Sequence, residues 1–320
     1  MRSRMVRTNG VTLRVLEAGD PGAPAVVLCH GFPELAFSWR HQVDALAGAG
    51  FHVLAPDQRG YGGSDRPADP AAYTVTELAA DVVGLLDDVG AERAAVVGHD
   101  FGAVLAWTAP LLHPDRFWAV AGLSLPPVPR PRVPTTQAFR RIFGDNFFYI
   151  LYFQEPGPAD AELAADPATT LRKLFTVPAI GHQRMFAPGP EGFLARIPDP
   201  AGLPDWISRA DFDVYVEEFT RNGFTAPLNW YRCFDRNWEL TADPPAATIA
   251  VPALFIGGSA DATLAYTPRA RATTVAVGDY REVMIDGAGH WLTEERPAEV
   301  THLLIEFLTS ATGSAGAPRT

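Results

Sequence analysis

The stretch Val96-Val97-Gly98-His99-Asp100-Phe101-Gly102-Ala103 decides the fold. The apolar run from Ala94 to Val97, partly β-branched, reads as a buried strand. Gly98 and Gly102 then flank a polar residue, and an apolar helical pattern follows from about Phe101 to His113. This is a strand, a sharp turn and a helix, the arrangement that presents a reactive side chain at the top of a parallel sheet. The commonest version carries Ser at the centre. Here the centre is Asp100, and no Gly-x-Ser-x-Gly occurs in the 320 residues.

Outward from this turn, strands and helices alternate. Val6 to Glu17 alternates in polarity and is broken by Asn9-Gly10, which predicts an antiparallel hairpin. Ala25-Val26-Val27-Leu28-Cys29 is a continuous apolar run of the kind found in a central parallel strand. A helix is expected from about Trp39 to Ala47, a strand from Phe51 to Ala55, and another strand from Trp118 to Leu125. Thr74-x-x-Glu77 predicts a capping box, followed by Leu78, Val82, Leu85, Leu86 and Val89 at helical spacing, with Gly90 as terminator. Pro110 predicts a kink or an early end in the helix after Asp100. Strands return at Ala253 to Gly258 and Glu282 to Ile285, and a last amphipathic helix spans about Pro297 to Thr309. This rhythm predicts an α/β fold with a mostly parallel sheet and helices on both faces. Between Pro126 and Trp238 the pattern changes to Pro, Phe and short helical pieces. The expected organisation is a core over residues 1–128 and 241–310, a helical cap over 129–240, and a disordered tail over 311–320.

A formal charge of −11 argues against nucleic acid as a partner, since phosphate binding needs a basic face. No apolar run reaches the roughly 18–20 residues of a membrane span. The basic start, Met1 to Arg7, has no apolar core of a signal peptide. Cys29 and Cys233 are the only cysteines, and Cys29 falls inside a predicted strand, so two reduced thiols and a cytoplasmic setting are expected. Gly60-x-Gly62-Gly63 has the wrong spacing and context for a dinucleotide fingerprint. His30, His99 and His113 form no ligand spacing with a carboxylate. Neither metal nor cofactor is expected.

A nucleophile on such a turn needs a base, and the base needs an acid to orient it. They follow the nucleophile in the order acid, then His. Asp261, in Ser259-Ala260-Asp261, and His290, in Gly289-His290-Trp291, each lie just past a predicted strand. A serine alkylated at an sp³ carbon becomes an ether, which neutral water does not cleave. A carboxylate alkylated there becomes an ester, which His290 and water can hydrolyse at the Asp100 carbonyl. Asp100 therefore favours two-step displacement at saturated carbon. The ester step builds an oxyanion that needs backbone N–H donors, assigned by turn geometry to Phe101 and Phe32. The Phe32–Pro33 bond is a candidate for cis. The leaving group is not fixed by these residues. An opened epoxide needs a proton, which a phenol supplies. A halide needs N–H donors and no proton. The insert carries tyrosines in two aromatic stretches, Phe147 to Gly157 and Asn229 to Trp238.

At these residues the chain resembles the soluble type of α/β-hydrolase-fold epoxide hydrolases. The matches are His30-Gly31-Phe32-Pro33-Glu34, Ser38-Trp39-Arg40-His41-Gln42, Pro56 to Gly62, Gly98-His99-Asp100, Tyr149 to Gly157, Asn229 to Trp238, Gly257 to Asp261 and Gly289-His290-Trp291. The resemblance implies an α/β-hydrolase fold with an inserted helical cap. It implies that Tyr149 and Tyr231 bind and protonate an epoxide oxygen, with Tyr152 as lid packing. The implied substrates are an apolar epoxide and water, given the Phe content of the cap, with Phe32, Pro33, Phe101, Phe153, Trp230 and Trp291 in the pocket. A monomer or homodimer is expected. Phe101 departs from the Trp that many members carry after the nucleophile, which changes a pocket wall and removes an indole donor for halide. Val104, Leu105 and Ala106 stand where fluoroacetate-type dehalogenases carry arginines. Dehalogenation and non-catalytic ligand binding remain the alternatives, and the tyrosine pair separates them from epoxide opening.

Overall fold

A computed structural model of the chain describes residues 1–176, 183–267 and 269–315. β1 (Arg2–Thr8) and β2 (Val11–Ala18) pair antiparallel across Asn9-Gly10, both at positive φ as the tight hairpin turn requires. β3 (Ala25–Cys29), β4 (His52–Pro56), β5 (Ala94–His99), β6 (Phe117–Leu123), β7 (Ala253–Gly258) and β8 (Tyr280–Ile285) complete one sheet in the order β1-β2-β4-β3-β5-β6-β7-β8. From β4 to β8 every neighbouring pair is parallel. Side-chain alternation along these strands feeds two apolar layers. Val26, Leu28, Val53 and Val97 pack against α1 (Arg40–Gly48) and the C-terminal helix. Val27, Cys29, Leu54 and Val96 pack against α2 (Val75–Asp88) and α3 (Phe101–Leu112). Each fully buried Val or Leu contributes about 1.5–3 kcal/mol, so the continuous apolar runs are what a sheet covered on both faces demands. This is the α/β-hydrolase fold expected from the sequence.

Register brings the working ends of the strands level. Cys29 pairs with Gly98, His99 with Leu123, and Gly258 with Ile285. The loops after β3, β5, β7 and β8 therefore open on one edge of the sheet, where open α/β folds place their ligands. Over that edge run α4 (Thr135–Phe143), α5 (Tyr149–Tyr152), α6 (Pro158–Ala165), α7 (Pro167–Thr176), α8 (Gln183–Phe186), α9 (Phe193–Arg196), α10 (Arg209–Asn222), α11 (Thr225–Arg232) and α12 (Phe234–Leu240). They dock by polar contacts to the core. The Trp230 indole donates to Arg59 O at 3.1 Å, Asn222 Nδ2 to Gly62 O at 2.8 Å, and the Tyr215 hydroxyl to Glu294 Oε1 at 2.8 Å. After β8 come α13 (Leu292–Glu295) and α14 (Pro297–Ala315).

Two local expectations change, at Thr74 and at the last helix. Thr74 is the N-cap of α2, but its side chain makes no capping bond. Its hydroxyl pairs with Thr76, while Glu77 reaches across to Asn9 on the hairpin, so tertiary contacts replace the capping box. Pro110 sits in the closing turn of α3, which ends at Leu112. The last helix does not stop at Thr309. It continues to Ala315 with Ala311 buried in the layer under the sheet, so residues 311–315 are helix and not a disordered tail. The rest of that expected tail, residues 316–320, lies outside the described residues. No helix among the described residues is long and apolar enough to cross a membrane.

Candidate active site

The turn after β5 is forced by close approach. A Cβ on Gly98 would stand 1.9 Å from Gly102 O, and one on Gly102 would stand 2.2 Å from Cys29 O. Both contacts are with backbone, which cannot move aside, so only glycine lets strand, turn and helix meet. Between them Asp100 takes φ +51°, a conformation that L-residues rarely adopt and that active sites often hold. Its carboxylate then projects off the sheet edge.

Asp100 Oδ1 accepts the Phe32 N–H at 3.0 Å, and Oδ2 faces His290 Nε2 at 3.5 Å. The other ring nitrogen, Nδ1, meets Asp261 Oδ2 at 2.9 Å. Asp261 Oδ1 accepts both the N–H and the hydroxyl of Thr263, at 2.9 and 2.8 Å, which fixes the carboxylate against the ring. Burial alone would push both carboxyls up. The His290 ring outweighs it and holds Asp100 and Asp261 below the usual carboxylate range, with the Phe32 N–H adding to the effect at Asp100. Burial alone would push His290 down. The Asp261 charge and the Asp100 contact overcome it and raise the imidazole well above its ordinary value. Both carboxylates thus favour the imidazolium form of His290, and one Asp100 oxygen already rests against a backbone donor.

Asp100, Asp261 and His290 share a cavity of about 450 Å³ with Phe32, Pro33, Tyr149, Tyr231 and Trp291. Tyr149 comes from α5 and Tyr231 from α11. Their rings lie 6.3 Å apart, and Tyr231 meets Phe32 edge-on at 5.4 Å. Leu174, Phe175, Met185, Phe186, Phe193 and Trp206 line the roof, all from the inserted helices and their loops. The Phe32–Pro33 peptide is cis.

Three pocket expectations need correction. Phe101, Phe153 and Trp230 are not among the lining residues. Trp230 is adjacent to Tyr231 on one helix, where neighbours point about 100° apart. With Tyr231 toward the cavity, Trp230 turns into the core against Tyr61 and Phe101. Phe153 is fully buried behind both tyrosine rings, and Phe101 stacks on Phe234.

Other residues of the site carry no motif that singles them out. Gln154 Nε2 donates to Ile150 O and Tyr231 O, both at 2.9 Å, tying the two tyrosine-bearing helices together. Glu34 Oε2 accepts from Gly31 N and from His99 Nδ1, each at 2.7 Å, beneath the Phe32 loop. His99 Nε2 and the Ser124 hydroxyl both donate to His290 O, at 2.8 and 2.7 Å. Their quoted neighbours in the sequence point to the site, but their own roles depend on partners distant in the chain.

Residues 24–173 match a family described as alpha/beta hydrolase fold. The chain is 65% identical to epoxide hydrolase A of Mycobacterium tuberculosis, over 96% of this chain and 97% of that one. It is 39% identical to epoxide hydrolase 3 of Siraitia grosvenorii, covering 95% and 96% of the two chains. The crystal structure of epoxide hydrolase A from Mycobacterium thermoresistibile superimposes with a TM-score of 0.95 at 59% identity, over 96% of this chain and 98% of that one. By fold, by coverage and by identity, the chain belongs to the α/β-hydrolase-fold epoxide hydrolases.

Proposed function

We propose that this chain hydrolyses an apolar epoxide to a vicinal diol in two covalent steps. The observation that carries the reading is a carboxylate on the turn after β5, in one cavity with two tyrosines from the helices above it. Asp100 Oδ2 attacks an epoxide carbon, and that carbon's bond to the ring oxygen breaks. The oxygen takes a proton from Tyr149 or Tyr231, leaving a hydroxyalkyl ester on Asp100 and a tyrosinate. The ester has no charge, so one of the two anions flanking His290 is gone. The imidazolium gives its proton to the tyrosinate, through solvent, and the neutral ring becomes a base. His290 removes a proton from water, and the hydroxide attacks the Asp100 carbonyl carbon. The oxyanion forms on Oδ1, against the Phe32 N–H and that of Phe101. Collapse expels the diol oxygen, which takes the proton from His290. The Asp100 acid proton passes to His290, which restores the carboxylate and the imidazolium.

The helices over residues 129–240 act as the cap that supplies both the tyrosines and the apolar roof. That roof favours hydrocarbon substituents on the epoxide. Cys29 and Cys233, both buried and outside any disulfide, suit a reducing compartment such as the cytoplasm.

The test uses His290→Gln with styrene oxide and intact-protein mass spectrometry. The variant still alkylates but cannot activate water, so enzyme plus one epoxide mass accumulates. A folded variant that never carries the added mass refutes the two-step scheme. Wild type given styrene oxide or 1-chlorobutane should release diol from the first and no chloride from the second.

A further inference from the structure

Nothing in the proposed chemistry uses Glu295, yet its carboxylate is bound on both sides of His290. Oε2 accepts the Gly289 N–H at 2.6 Å, and Oε1 accepts the Trp291 N–H at 2.9 Å. The carbonyl of His290 itself accepts from His99 Nε2 and the Ser124 hydroxyl. The backbone is therefore held at one polar group on each of residues 289, 290 and 291, and Glu295 holds two of the three. Gly289 is shaped to this contact, since a Cβ there would lie 2.8 Å from Glu295 Oε1. Glu295 is the last residue of α13, and its neighbour Glu294 is anchored by Arg40 at 2.6 and 2.7 Å and by the Tyr215 hydroxyl. The clamp thus stands on a fixed base.

We propose that Glu295 is a positioning residue for His290 and that it serves the ester-hydrolysis step selectively. The inference rests on the two-step reading above. Alkylation needs the Asp100 oxygen and a phenol proton, and its demand on the angle of the imidazole is slight. Hydrolysis needs His290 Nε2 to hold a water in line with the Asp100 carbonyl carbon. A tilt of the ring displaces that water, and a misplacement of about 1 Å can cost roughly 100-fold. A glutamine cannot replace the clamp, because its amide has one acceptor for two N–H groups and turns its own donor on the other.

The experiment measures the two half-reactions of Glu295→Gln and Gly289→Ala with styrene oxide, by rapid acid quench and intact-protein mass. Gly289→Ala presses only on the far end of the Glu295 side chain, so it reads the same clamp in a chain that keeps its fold. Alkylation should stay within about 3-fold of wild type, while hydrolysis should fall about 10- to 100-fold. The ester then becomes the dominant form of the enzyme during turnover. A merely structural role would lower both steps together and leave the ester fraction of active enzyme at the wild-type level, and that result in both variants overturns the inference. His290→Gln, run alongside, separates the failures. An adduct there without any rise in the two clamp variants removes Glu295 alone, and no adduct there removes the two-step reading.

Discussion

The charge of Asp100 should control the basicity of His290, and the size of the effect follows from one distance. Asp100→Asn keeps the shape of the side chain and removes its charge, as ester formation does. His290 Nε2 and Asp100 Oδ2 are 3.5 Å apart. Two unit charges at that separation interact by about 1 kcal/mol in bulk water and about 5 kcal/mol at an effective dielectric of 20. At 1.36 kcal/mol per unit, the His290 pKa should fall by about 1–3.5 units in the variant. The sign is fixed. The wild-type value is raised because both carboxylates favour the imidazolium, so removing one moves the titration to lower pH. Asp261 stays in place and keeps part of the effect. The assay is an NMR titration of the imidazole C–H signals, with the His290 resonance identified by its loss in His290→Gln. The variant is weighed before and after, because a water that cleaves an ester at Asp100 could also cleave the amide. An unchanged or raised His290 pKa in intact Asp100→Asn would refute the idea that alkylation converts the imidazolium into a base.

The double variant Tyr149→Phe, Tyr231→Phe should slow ring opening by about 100- to 10,000-fold, the usual range for a positioned proton donor. Rapid-quench measurement of ester formation reads this directly, and a near-normal rate would remove the phenols from the scheme. Away from the site, Glu17 is buried on β2. Burial acts to raise its pKa, but His52, Arg4 and Arg2 overcome it and bring it to about 2 from 4.5. A depressed carboxyl stabilises the fold above its unfolded pKa and loses that contribution as pH falls. Glu17→Gln should therefore cost about 3 kcal/mol near neutral pH, with the difference from wild type vanishing between about pH 4.5 and 2 in urea unfolding curves.

The sheet was legible because its strands are covered on both faces and read as unbroken apolar runs, such as Ala25 to Cys29 and Ala94 to Val97. Gly98 and Gly102 disclosed the turn because backbone contact allows nothing else there. The inserted helices were harder to divide. α5, α8 and α9 are four residues each, too short for a 3.6-residue period to emerge. Within the pocket, sequence adjacency to Tyr231 suggested Trp230, but helix geometry turns it the other way. Gln154 and Glu295 were silent for a different reason. Each acts by satisfying backbone groups of another segment, and which groups these are is settled only by tertiary folding. Thr74 and Glu77 show the converse, a local pattern whose side chains are drawn off by more distant partners.

The two oxygens of Asp100 occupy unlike surroundings, one against the Phe32 amide and one toward His290. In the proposed cycle the atom toward His290 departs with each diol, and an oxygen from solvent fills its place. The atom at the amide stays, because exchanging the two would require the carboxylate to rotate out of that bond. A preparation cycled many times in heavy-oxygen water should then gain a single heavy atom per chain and no second. The first diol released by each chain would carry ordinary oxygen from the protein, and every later one the isotope, so each chain would keep one aspartate oxygen for its whole working life.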